Sequence, residues 1–131
     1  QAHVEALIAR EKARGIAARR IVVAGFSQGG VIALHTGVRH AERLAGIVAL
    51  STYVVLPDLL ADEASPANRD VPIFMAHGTA DPMVRLEWGE AGRRALTAAG
   101  YHVEWHTYAM PHSVVWEEIE AVSAFLARVL A

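Results

Sequence analysis

The chain has 131 residues, 53% of them hydrophobic and 20% charged, the composition of a folded domain rather than a disordered segment. Its net charge is −2, with acidic and basic residues interspersed, so no clustered basic face exists and nucleic acid is not an expected partner. There are no cysteines, which removes disulfide frameworks, thiolate metal sites and cysteine nucleophiles together.

A chain of this size hides enough surface to build a core without staples, and residues 1–131 read as a single domain. The longest apolar runs, Ile21 to Phe26 and Gly46 to Leu50, are far too short to span a bilayer. The N-terminus lacks the layout of a signal peptide and lacks an initiator Met, so residue 1 is not taken as the natural start. A cysteine-free chain leans toward an intracellular origin, and a cytoplasmic location is the expectation.

In chain order, Val4, Leu7 and Ile8 at helical spacing predict a surface helix over residues 2–14, with Gly15 placed as its left-handed cap. The basic group Arg10, Lys12, Arg14, Arg19 and Arg20 alternates with Glu5 and Glu11 and reads as a solvated face. Ile21 to Ala24 is a β-branched run without polar alternation, the pattern of a strand covered on both faces. A helix follows from Gln28 to Arg39, then a strand at Gly46 to Leu50. The polar stretch from Ser51 to Val71 is the only loop long enough for a lid or pocket wall. A strand at Pro72 to Ala76, a helix from Leu86 to Ala99 closed by Gly100, and a strand at His102 to Tyr108 come next. The last helix, Glu117 to Leu130, carries an apolar stripe of Ile119, Val122, Phe125, Leu126, Val129 and Leu130. Alternating strands and helices predict an α/β fold with a parallel sheet of about four strands and flanking helices.

The sharpest local signal is Gly25-Phe26-Ser27-Gln28-Gly29, which satisfies G-x-S-x-G between a predicted strand and a predicted helix, the context of a nucleophile elbow. At such a turn Ser27 occupies a sparsely populated backbone conformation, and Gly25 and Gly29 are expected to leave room where strand and helix converge. The turn lifts the Ser27 hydroxyl clear of the sheet and aims the Gln28 N–H at the space where an oxyanion would form.

A serine hydroxyl needs a base, and the base needs an orienting acid. His112 directly follows the last predicted strand and Asp81 directly follows the third. All strands of a parallel sheet end along one edge, so Ser27, Asp81 and His112 are expected to meet there. Their chain order, Ser then Asp then His, is the one used by α/β-hydrolase sheets. Among the rivals, His77 is expected to hold the Asp81 loop, and His35 and His40 face away from the active edge. His102 and His106 share a strand face but have no third ligand at sensible spacing, so no metal site is expected. Asp58, Asp62 and Asp70 read as solvated carboxylates of the long loop.

These residues together resemble the phospholipase/carboxylesterase branch of the α/β-hydrolases, which also contains the acyl-protein thioesterases. The resemblance runs from about Arg20 to the C-terminus. It rests on four blocks in order: Ala24 to Gly30, Leu44 to Ser51, His77 to Val84 and Met110-Pro111-His112. It implies a serine hydrolase of carboxylic esters or thioesters, with a small-molecule or acyl substrate and no cofactor. Ser27 would be the nucleophile, Asp81 the orienting acid, His112 the base and Gln28 an oxyanion donor. Tyr53 and Met83 fall where the family places residues lining the acyl groove. Family members carry several strands and a second oxyanion-donor loop before the nucleophile strand, whereas only about 20 residues precede it here. The chain therefore reads as the C-terminal portion of such a fold. Its first strand is expected to present an open edge, covered by another copy of the chain or by polypeptide absent from this sequence. The competing reading is a fragment that keeps the triad but serves as a non-catalytic or partner-requiring module.

Overall fold

A computed structural model describes all residues, 1–131. Helix α1 (Ala2–Ala13) ends before Gly15, whose φ of +95° is the left-handed conformation that glycine adopts without a Cβ penalty. A turn of 3-10 helix (Ala18–Arg20) leads into β1 (Val22–Phe26), then α2 (Gln28–Arg39) and β2 (Gly46–Leu50). Short helical turns at Pro57–Leu59, Leu60–Glu63 (α3) and Pro66–Asn68 fill the long connection to β3 (Ile73–Gly78). Helix α4 (Leu86–Ala98), strand β4 (Val103–Tyr108) and helix α5 (Trp116–Val129) complete the chain. The four strands are parallel in the order β1-β2-β3-β4, so every crossover carries a helix.

The register sorts side chains by sheet face. Val23, Ile47 and Ile73 point to the side covered by α1, α2 and α4, where Ile8, Leu34, Val38 and Leu96 join them in the main core. Val48, Phe74 and Ala76 point to the other side, which α5 covers through Phe125. Strands β2 and β3 are buried almost throughout, which explains their unbroken apolar sequence.

Two packing expectations are corrected. Strand β1 is not covered on both faces: α5 packs over β2 and β3, leaving Ala24 exposed and Phe26 39% exposed. In α5 and at its C-terminal cap, Ile119 and Leu130 are exposed, whereas Glu118 is completely buried. Helical geometry gives the reason. Glu118, Val122, Phe125 and Val129 lie on one line along the helix, and Ile119 and Leu130 sit about a quarter turn away.

The long Ser51–Val71 connection is a pinned wall. The buried Asn68 side chain accepts from the Leu44 amide and donates to the carbonyls of His40 and Glu42, while Leu60 and Val71 are buried beneath the connection. No helix is long and apolar enough to cross a membrane.

Candidate active site

Ser27 sits between the last residue of β1 and the first of α2, with φ 56° and ψ −120°. Few non-glycine residues hold that conformation, and the turn is closed by bonds on both sides. The Ser27 amide donates to the Leu50 carbonyl, and its own carbonyl accepts from the Gly30 and Val31 amides and from Thr52 Oγ1. A serine at the head of a helix normally caps it with its hydroxyl, but here no side-chain capping bond forms. The hydroxyl is turned instead toward His112.

The predicted glycines divide. A Cβ at Gly25 would lie 2.1 Å from the Gly29 carbonyl oxygen, so β1 and α2 converge only because Gly25 has none. Gly29 is a correction: a Cβ there would meet nothing within 4 Å. It faces a groove of about 260 Å³ whose lining includes Leu7, Ile21, Val22 and Ala24. The second required glycine is Gly30, where a Cβ would lie 2.8 Å from the Thr52 side chain.

His112 Nε2 lies 3.0 Å from Ser27 Oγ, and its Nδ1 lies 2.7 Å from Asp81 Oδ2. The other carboxylate oxygen, Oδ1, accepts from the amides of Met83 at 2.8 Å and Val84 at 2.9 Å. Burial pushes the Asp81 carboxyl upward, but the Val84 amide, the His112 contact and the Met83 amide outweigh it and hold its pKa below the usual value. An ionised carboxylate only accepts, so Nδ1 carries the imidazole proton and Nε2 is left to accept from the serine hydroxyl. All three side chains project from the C-terminal ends of parallel strands or the loops that follow them. The arrangement can move a proton from Ser27 Oγ to His112 Nε2 while Asp81 fixes the imidazole.

The supporting residues also have identifiable places. His77 is buried and donates from Nε2 to the Val84 carbonyl at 2.8 Å, tying down the Asp81 loop as expected. A Cβ at Gly78 would lie 2.3 Å from the Met110 carbonyl oxygen, so that glycine lets the His112 loop close over the end of β3. Asp58, Asp62 and Asp70 are exposed, and His40 pairs with Glu5 behind α2. His102 lies before β4, and His106 stacks on Phe74 and contacts Glu104.

The Gln28 amide heads α2, where the first N–H groups have no partner within the helix. Tyr53 is half-buried, edge-on to Trp88 with ring centroids 6.1 Å apart, in a groove of about 210 Å³. Met83 projects from the acid loop with 68% of its surface exposed. Sequence reasoning missed Thr52, which braces the elbow, and Phe26, whose ring lies against His112 at 4.8 Å between centroids. Neither carried a motif signal of its own.

The four-stranded parallel sheet with helices on both faces is that of an α/β-hydrolase. Residues 1–130 match the phospholipase/carboxylesterase family model, and the chain belongs to that family. It is 44% identical over 129 residues to acyl-protein thioesterase 1 of Neurospora crassa, covering 96% of this chain and 53% of that protein. A second relative, acyl-protein thioesterase 1 of Yarrowia lipolytica, is 39% identical over 126 residues, covering 94% of this chain and 56% of that one. The crystal structure of SOBER1 from Arabidopsis thaliana superposes with a TM-score of 0.92 at 29% identity, covering 98% of this chain and 62% of that chain. This chain thus spans little more than half the length of the curated relatives it matches.

Proposed function

We propose that the chain carries the catalytic edge of a serine hydrolase that cleaves carboxylic esters or thioesters through an acyl-enzyme. The observation that carries the reading is the continuous contact Asp81–His112–Ser27, at 2.7 and 3.0 Å. In this mechanism His112 Nε2 takes the Ser27 proton as Oγ attacks the substrate carbonyl carbon. The oxyanion that forms is met by the Gln28 N–H. Collapse breaks the bond to the alcohol or thiol, which leaves with the proton held on His112. Water then gives His112 a proton and attacks the acyl carbon; the Ser27 Oγ–acyl bond breaks, the proton on His112 returns to Oγ, and the acid is released. Tyr53 and Met83 line the acyl side. No cofactor takes part, and a cytoplasmic setting fits a chain without cysteines.

The names of the relatives support an ester or thioester as substrate. Mixing the chain with a short-chain p-nitrophenyl ester should give a burst of p-nitrophenol that an organophosphonate abolishes.

A second reading is a partner-requiring half-fold, favoured by the bare face of β1 together with the partial span of the relatives. In this reading the Gln28 N–H is the one oxyanion donor assigned, and lack of a second donor lowers turnover on the order of a hundredfold to a thousandfold. Absence of a burst, with activity restored by a complementing polypeptide, would select this reading.

A further inference from the structure

Phe26 occupies the variable position between Gly25 and Ser27, at the end of β1. With 39% of its surface exposed, it lies outside both apolar clusters of the core. What it does contact is the imidazole of His112, with centroids 4.8 Å apart and planes tilted by 43°.

We propose that Phe26 is a positioning residue for the hydrolytic step. Its ring holds the His112 imidazole between Asp81 and Ser27 and stabilises the imidazolium that forms when the serine proton arrives. The inference rests on the serine hydrolase reading.

The contact adds a constraint that the other two partners lack. Asp81 and Ser27 both engage ring nitrogens, and hydrogen bonds to an imidazole lie in its plane. They leave the imidazole free to rock out of that plane. The Phe26 ring, packed against the imidazole at 4.8 Å between centroids, adds an apolar contact that resists this motion.

The electrostatics point the same way. An aromatic ring attracts a cation held near its face within about 6 Å of its centroid, and here the imidazole centroid lies 4.8 Å away with the planes tilted by 43° rather than set at a right angle. Before proton transfer the imidazole is neutral and the attraction is small. After transfer it carries a full charge, so the ring favours the transition state over the bound substrate and acts on kcat rather than KM.

The test compares Phe26→Leu, Phe26→Tyr and Phe26→Trp in the 131-residue chain, by steady-state hydrolysis of p-nitrophenyl acetate and by thermal unfolding. Phe26→Leu keeps an apolar side chain but removes the ring; it should lower kcat about twofold to fivefold with KM unchanged. Phe26→Tyr and Phe26→Trp keep an aromatic face and should recover most of that loss. The proposal is overturned if the Leu variant matches the wild type, if the loss appears in KM, or if kcat follows melting temperature across the three variants. A wild-type chain that neither hydrolyses the ester nor takes up a fluorophosphonate, alone or with a complementing polypeptide, overturns the serine hydrolase reading and this proposal with it. An active wild type with an unimpaired Leu variant overturns this proposal alone.

Discussion

Thr52 Oγ1 donates to the Ser27 carbonyl at 2.7 Å, and the same side chain sits where a Cβ at Gly30 would be, so one residue after β2 braces both ends of the elbow's first helical turn. Thr52→Val keeps the shape and removes the donor. The carbonyl still accepts from the Gly30 and Val31 amides, so the expected cost is modest, about 1 kcal/mol. Urea unfolding should detect that loss. Turnover should also fall, by less than about tenfold, because the hydroxyl of Ser27 hangs on this turn. An unchanged unfolding midpoint would show that the bond contributes nothing.

Asp81→Asn should lower turnover by about four orders of magnitude, the scale seen when the acid of a triad is replaced and the imidazole takes the wrong tautomer. The exposed carboxylates provide controls: Asp58→Asn and Asp70→Asn should leave turnover within about twofold. If Asp81→Asn kept its turnover while either control lost it, the acid would have been assigned to the wrong residue.

Two buried carboxyls pull the pH dependence of stability in opposite directions. Burial raises the Glu118 pKa to about 6 from an ordinary 4.5, and neither of its oxygens has a hydrogen-bond partner. The folded state then holds a proton that the unfolded chain releases, so stability falls as pH rises from about 4.5 to 6, by roughly 2 kcal/mol. Glu118→Gln should remove this slope. Asp81, whose pKa is held below its ordinary 3.8, contributes stability that is present above that pH and lost as pH falls through the folded value. Unfolding midpoints at pH 4.5, 6 and 7.5 isolate the Glu118 effect, because Asp81 changes charge only below that range; no difference between Glu118→Gln and wild type across it would contradict the Glu118 assignment.

The order and type of the main elements were legible in the sequence because the strands of the sheet's interior are short apolar runs and α2, α4 and α5 are long enough to show a helical pattern, whereas the short helical turns of the Ser51–Val71 connection were read as loop. Helix α2 falls on its predicted residues, Gln28–Arg39, and β2 on Gly46–Leu50. Ser27, Asp81 and His112 could be found because strand ends carry them and a parallel sheet gathers strand ends. What escaped was decided by three-dimensional neighbours. The bare face of β1 could not be read from Ile21 to Ala24, since an apolar strand looks alike whether or not a helix covers it. Gly29 was assigned the tight contact that belongs to Gly30, because the contact comes from Thr52, more than 20 residues away. Glu118 carries no apolar signal in the sequence, and it is buried because Val122, Phe125 and Val129 share its line along the helix.

Strand β1 pairs with β2 alone and contains no charge or proline, whereas the opposite edge, β4, carries Glu104 paired with Arg128 and His106. An unprotected apolar edge is a template for strand addition. The isolated chain is therefore expected to self-associate through β1, and Ala24→Lys, at an exposed position on that strand, should reduce association. A stable monomer by sedimentation at concentrations in the tens of micromolar would contradict this.

Whether Ser27 is the nucleophile is settled by covalent labelling. The chain is treated with a fluorophosphonate, digested, and the adduct located by mass spectrometry. A single adduct is expected on Ser27, absent from Ser27→Ala and strongly reduced in His112→Ala, because His112 Nε2, 3.0 Å from the hydroxyl, is the proposed base. Labelling that persists in Ser27→Ala, or an adduct on another serine, would contradict it.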